Sequence, residues 1–129
     1  MARILGLDLG ERRTGVALTD PAGMIALPRA VLLGDPVPQV AELVRAEGVE
    51  RVVVGDPLSL SGGETAQTRA ARATVERLRA ALSVPVEMID ERLTSVEASR
   101  ARRDAGLRGG GSVDAEAAAL LLAAYLARK

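Results

Sequence analysis

The stretch RILGLDLGERRTGVALTD, residues 3–20, holds two apolar runs separated by a glycine and three charged residues. The runs, ILGLDL (4–9) and GVALTD (15–20), with GERRT between them, predict an antiparallel hairpin. Asp8 lies inside the first run. An ionised carboxylate among aliphatic side chains is costly, and its pKa rises toward neutrality. Two readings fit. Asp8 stabilises the turn by accepting backbone N–H groups near Gly10, or it is a metal ligand that a cation keeps charged.

Working outward, MIALPRAVLL (24–33) follows the break DPAG and predicts a third antiparallel strand. Asp35 suits a helix N-cap and Pro36 the first helical position, for a helix running to Glu47 and stopping at Gly48. RVVVGDPL (51–58) has the continuous β-branched run of a strand buried on both faces. Ser61 with Glu64 fits a capping box for a helix over 64–82. VPVEMID (84–90) predicts a parallel strand, and Thr94 with Glu97 a helix to about Asp104. AGLRGGGS (105–112) reads as a loop, and VDAEAAALLLAAYLARK as a mostly buried closing helix. The order βββαβαβαα predicts an α/β fold: one domain over residues 1–129, with a mixed five-stranded sheet and helices on both faces.

Composition narrows the chemistry. Histidine and cysteine are both absent from the 129 residues, so any metal must be held by oxygen, which favours Mg²⁺ or Mn²⁺ over Zn²⁺. The lack of cysteine also fits a reducing cytoplasm, and no apolar run is long enough for a membrane span. Seventeen basic and seventeen acidic residues cancel, so the chain does not look like a non-specific nucleic-acid binder unless its arginines gather on one face. With Tyr125 the single aromatic residue, base stacking is nearly excluded as a binding mode.

The acids fall where the topology brings strand and helix ends together. Asp8 is in the first strand, Asp90 and Glu91 end the last one, and Asp114 is expected in the first turn of the closing helix. Carboxylates so placed can converge on one crevice and make an oxygen site for one or two divalent cations. Each also has a plainer reading. Asp90 and Glu91 sit beside Arg92 and suit a strand-end ion pair, and Asp114 suits the helix dipole.

LDLGERRTGVALTD, VVVGDPLSLSGGE, DERLTSVEA and VDAEAAALLLAAYL together resemble the four signature blocks of the YqgF/RuvX family, in order and over nearly the whole chain. That family is RNase H-like and is described as Holliday-junction-resolvase-like, or as nucleases that mature the 5′ end of pre-16S rRNA. The resemblance implies a metal-dependent phosphodiesterase using Mg²⁺ or Mn²⁺, with Asp8, Glu91 and Asp114 as catalytic ligands and Asp90 in support. It implies phosphate contacts from Arg13 and Arg92, each equally readable as a solvated or ion-paired arginine. Arg100, Arg103 and Arg108, around the glycine-rich loop, suit a local phosphate-binding rim, whereas the arginines at 69, 72, 77 and 79 read as a solvated helix face.

Two positions depart from the family pattern. Ser112 stands where the family usually has lysine, which removes a phosphate contact. Asp56 stands where an apolar residue is usual; it is either an added ligand or a turn residue before Pro57. Three functions follow. The first is a nuclease on structured nucleic acid, either trimming the 5′ end of pre-16S rRNA or resolving four-way DNA junctions as a homodimer. The second is a non-catalytic nucleic-acid-binding module. The third, a nucleotide-phosphate enzyme of the actin and Hsp70 superfamily, needs a two-domain cleft for which the chain is too short.

Overall fold

The computed structural model describes residues 3–56, 65–90 and 110–128. The described elements are β1 (Arg3–Leu9), β2 (Arg13–Thr19), β3 (Ala26–Leu33), α1 (Pro36–Glu47), β4 (Val49–Asp56), α2 (Ala66–Ala81), β5 (Val86–Asp90) and α3 (Gly110–Ala127). They build a five-stranded sheet in the order β3-β2-β1-β4-β5. The pairs β1–β2 and β2–β3 are antiparallel, and β1–β4 and β4–β5 are parallel. The expected mixed sheet is therefore present, with β1 at its centre. The helix expected over 94–104 lies outside the described residues, as does most of the loop expected over 105–112.

Alternation along the strands divides the core. Leu5, Leu7, Val52 and Val54 pack with Val37 and Val40 of α1 and Val75 and Leu78 of α2. Ile4, Ala17, Val53 and Ile89 pack on the other side with Ala118, Leu122 and Tyr125 of α3. Val52, Val53 and Val54 are all fully buried, which is why that run lacks the polar alternation of a one-sided strand. On β1 the period of two gives the α1/α2 face to the leucines and the α3 face to Ile4, Gly6 and Asp8. A Cβ on Gly6 would lie 3.0 Å from the Leu122 Cβ, so the absent side chain lets α3 lie close on the central strand.

The ends of the helices follow local chemistry. Asp35 caps α1 by accepting from the Val37 N–H at 3.1 Å, Pro36 opens the helix, and Gly48 closes it at φ 66°. α2 begins at Ala66 rather than at 64. Its N-cap is Thr65, and the reciprocal box is closed by Thr68, whose N–H donates to Thr65 Oγ1 at 3.2 Å while the Thr65 N–H donates to Thr68 Oγ1 at 2.7 Å. The expected Ser61–Glu64 box lies outside the described residues. α3 begins at Gly110, inside the segment expected to be a loop. Glycine is compatible with helical dihedrals, and first-turn N–H groups need no intrahelical partner. Asp114 is therefore in the second turn, beyond the reach of most of the dipole effect that its sequence position suggested.

α3 is tied to the parallel edge of the sheet through Glu87 of β5. Its carboxylate pairs with Arg51 and with Arg128, each at 3.1 Å, and accepts from the Tyr125 hydroxyl at 3.2 Å. Arg128 also stacks over the Tyr125 ring, 4.8 Å from its centre. These half-exposed contacts orient the helix, while apolar burial carries most of the stabilisation.

Candidate functional site

β1, β2 and α3 meet at one point on the α3 face. Asp8 is paired across the ladder with Gly15. A Cβ on Gly15 would fall 2.0 Å from the Asp114 carbonyl oxygen, so the backbone of α3 passes directly over that glycine. This close approach brings Asp114 beside Asp8, a contact that no spacing rule in the sequence encodes. Its signal was nevertheless present: a glycine in the interior of a strand-like run, RTGVALT, marks a site of close backbone approach.

The pair is electrostatically unsettled. Burial, and after it the neighbouring Asp114 charge, push the Asp8 carboxyl above its ordinary value of 3.8. Asp114 Oδ2 is buried and has no hydrogen-bond partner. Its compensation is the Arg13 guanidinium, whose Nε lies 3.3 Å away in an ion pair without a hydrogen bond. Arg13 opens β2, directly after the turn in which the Gly10 N–H donates to the Arg13 carbonyl at 2.9 Å. Gly10, Glu11, Arg12, Arg13, Gln67 and Asp114 line an open groove that runs past this point.

Two adjacent carboxylates, one forced toward its neutral form and one with a buried oxygen lacking a hydrogen bond, fit a hard divalent cation. Such a cation takes oxygen ligands, and the chain has no histidine or cysteine to offer instead. Among the described residues the acids meet here as a pair, and no group of three or more metal-ligating side chains forms.

The other expected site residues are distributed as follows. Asp56 ends β4 with the parity of Val52 and Val54, on the α1/α2 face, and is bound by Arg72 of α2 at 2.9 Å. It is thus on the opposite side of the sheet from Asp8, because one residue of register along a strand exchanges faces. Asp90 ends β5, where its backbone pairs by register with Asp56. Glu91, Arg92, Arg100, Arg103 and Arg108 lie outside the described residues, and Ser112 falls in the first turn of α3. On α2, Arg72, Arg77 and Arg79 are engaged with Asp56, Asp35 and Glu76, in keeping with a solvated, ion-paired helix face.

Among the described residues no helix is long and apolar enough to cross a membrane. Residues 2–128 match the family model described as "RuvX: Holliday junction resolvase". A Chloroflexus aggregans protein named "Putative pre-16S rRNA nuclease" is 44% identical over 130 residues, covering 95% of this chain and 92% of that protein. An Anaeromyxobacter sp. protein of the same name is 43% identical over 136 residues, covering 98% of each. Among solved structures, Thermus thermophilus RuvC in complex with a Holliday junction substrate matches with a TM-score of 0.62, covering 98% of this chain and 94% of that one. Its 16% identity makes this a likeness of fold, which is RNase H-like. The match along nearly the whole chain and the identity to full-length relatives establish that this protein belongs to the RuvX family.

Proposed function

We propose that the protein is a divalent-metal-dependent nuclease that hydrolyses phosphodiester bonds in structured nucleic acid, with the 5′ end of pre-16S rRNA as its substrate. The observation that carries this reading is the Asp8–Asp114 pair, in which Asp8 is desolvated and one Asp114 oxygen is buried without a hydrogen bond. The names of the full-length relatives support the choice of RNA. With a cysteine-free chain, the setting is the cytoplasm.

Asp8 and Asp114 would hold Mg²⁺ or Mn²⁺ together with Glu91. Within the DER block at 90–92, Glu91 is taken as the ligand and Asp90 as its support, as the resemblance to the family implies. When bound, the metal supplies charge neutralisation at the scissile phosphate and a more acidic water. Asp8 and Asp114 supply fixed negative charge at the end of the central strand. Arg13, at the groove, is placed to meet a phosphate oxygen, and Arg92, Arg100, Arg103 and Arg108 are assigned the rest of the backbone contact. With Tyr125 of α3 buried against the sheet, recognition rests on shape and phosphates rather than base stacking. Asp56, held by Arg72, is left out of the cation's ligand set and given a structural role.

A second reading, resolution of a four-way DNA junction, is favoured by the family model's description and by the RuvC-like fold. It requires a homodimer that presents two sites to opposed strands. The deciding experiment offers the purified protein an RNA spanning the 5′ end of 16S rRNA and, separately, a four-way DNA junction, each with Mn²⁺ or EDTA. Cleavage of the RNA in Mn²⁺ is expected, with none in EDTA and a loss of roughly 100-fold or more in Asp8→Asn and Asp114→Asn. Cleavage that survives EDTA or both substitutions refutes the carboxylate–metal reading. Cutting of the junction alone, by a dimer, selects the second reading. Binding of either nucleic acid without cleavage would make the protein a non-catalytic module.

A further inference from the structure

Two features of the Arg13–Asp114 contact are unlike an ordinary structural ion pair. The carboxylate oxygen that faces Arg13 is buried yet receives no hydrogen bond. The arginine itself is 54% exposed, although its backbone is fixed by the hairpin turn. Arg13 thus compensates the charge of Asp114 without saturating its oxygen, and its side chain has open solvent to move into. Charge compensation without full coordination is what a replaceable counter-ion provides.

Resting on the reading of Asp8 and Asp114 as cation ligands, we propose that Arg13 is the cation's stand-in on Asp114. Before loading, its guanidinium neutralises a carboxylate that would otherwise face Asp8 uncompensated. A divalent cation entering the pair competes for the same oxygen, and two positive charges on it repel. The guanidinium therefore leaves Asp114 as the cation binds. It swings into the groove lined by Glu11, Arg12 and Gln67, where it is free to take a phosphate oxygen of the nucleic acid. Cation loading and exposure of a phosphate-binding group are thereby one event, so the site favours substrate only once it is charged with metal.

The test measures binding rather than turnover. Mn²⁺ is titrated calorimetrically into the native protein, Arg13→Gln and Arg12→Gln; the last removes the same charge from the neighbouring residue of the same groove. Arg13→Gln is expected to bind Mn²⁺ about fivefold more tightly than the native protein, and Arg12→Gln to change affinity by less than about twofold. In parallel, Mg²⁺ is titrated into ¹⁵N-labelled native protein while the Arg13 Nε–H resonance, assigned by its absence in Arg13→Gln, is followed. It is expected to move with the midpoint of the cation titration. Equal affinity of Arg13→Gln and native protein overturns the proposal. So does equal tightening by Arg12→Gln, which would show only a general field effect, or an Nε–H resonance that stays in place at saturating Mg²⁺. If the native protein binds neither cation, the carboxylate site falls, and the stand-in role falls with it. That outcome is distinct from a site that binds metal without a response from Arg13.

Discussion

At the scale of single residues, the site is set by the conflict between Asp8 and its surroundings. Burial and Asp114 raise the Asp8 pKa, so the folded chain holds its proton to higher pH than the unfolded one. The sign follows from linkage. Native protein binds more protons, so stability falls as pH rises from the ordinary value of 3.8 through the raised folded value, and the full penalty persists above that value. In EDTA at neutral pH, Asp8→Asn is therefore expected to raise the melting temperature, and saturating Mn²⁺ to stabilise the native protein but not the variant. Thermal melts of both proteins in the two buffers check this; a variant stabilised equally by Mn²⁺ would remove Asp8 from the cation's ligands. Gly15 is the residue whose importance the sequence understated. Gly15→Ala places a methyl group where the Asp114 carbonyl already lies, so α3 must shift. A cost of roughly 1–3 kcal/mol in urea unfolding is expected, together with weaker Mn²⁺ binding as Asp114 moves from Asp8.

At the scale of elements, the strands and α1 were legible because their signals are local. The Asp35–Pro36 start, the Gly48 stop and the valine run of β4 all act through near neighbours, and the structure uses each as read. α2 shows the limit of such signals. Ser59, Ser61 and Thr65 precede it, and its described cap is made by Thr65 and Thr68, a choice that depends on which hydroxyl can reach which N–H. Thr65→Ala is expected to cost about 1 kcal/mol in chemical denaturation, with little effect on cation affinity, since α2 packs on the face away from Asp8. Asp56 stays open in the sequence, as an added ligand or a turn residue, for a related reason. The end of a strand is readable in sequence, but its face is fixed by register, and register gives this acid to Arg72.

At the scale of the whole molecule, zero net charge and nucleic-acid recognition are compatible only if charge is sorted among surfaces. On α2 the described ion pairs consume Arg72, Arg77 and Arg79 internally. Binding of a non-cleavable substrate analogue is therefore expected to weaken in Arg103→Gln and Arg108→Gln. The slope of log affinity against log salt should fall by about 0.7–0.9 for each phosphate contact removed, whereas Arg77→Gln should leave it unchanged. Equal effects from Arg77→Gln would place the nucleic acid on the α2 face and away from the acids.

The sequence by itself determined the α/β class, the run of strands and helices, the oxygen-only character of any metal site and the family. These follow from residue type, short-range periodicity and ordered motifs, which need no knowledge of distant contacts. Only the tertiary structure decided that Asp8 and Asp114 meet over Gly15, that Asp56 belongs to the other face, and that Arg13 compensates Asp114. Each of those depends on how closely α3 lies against the sheet and on which side of it a side chain emerges. Both are set by packing between segments far apart in the chain, where a single missing Cβ or one step of register changes the partner.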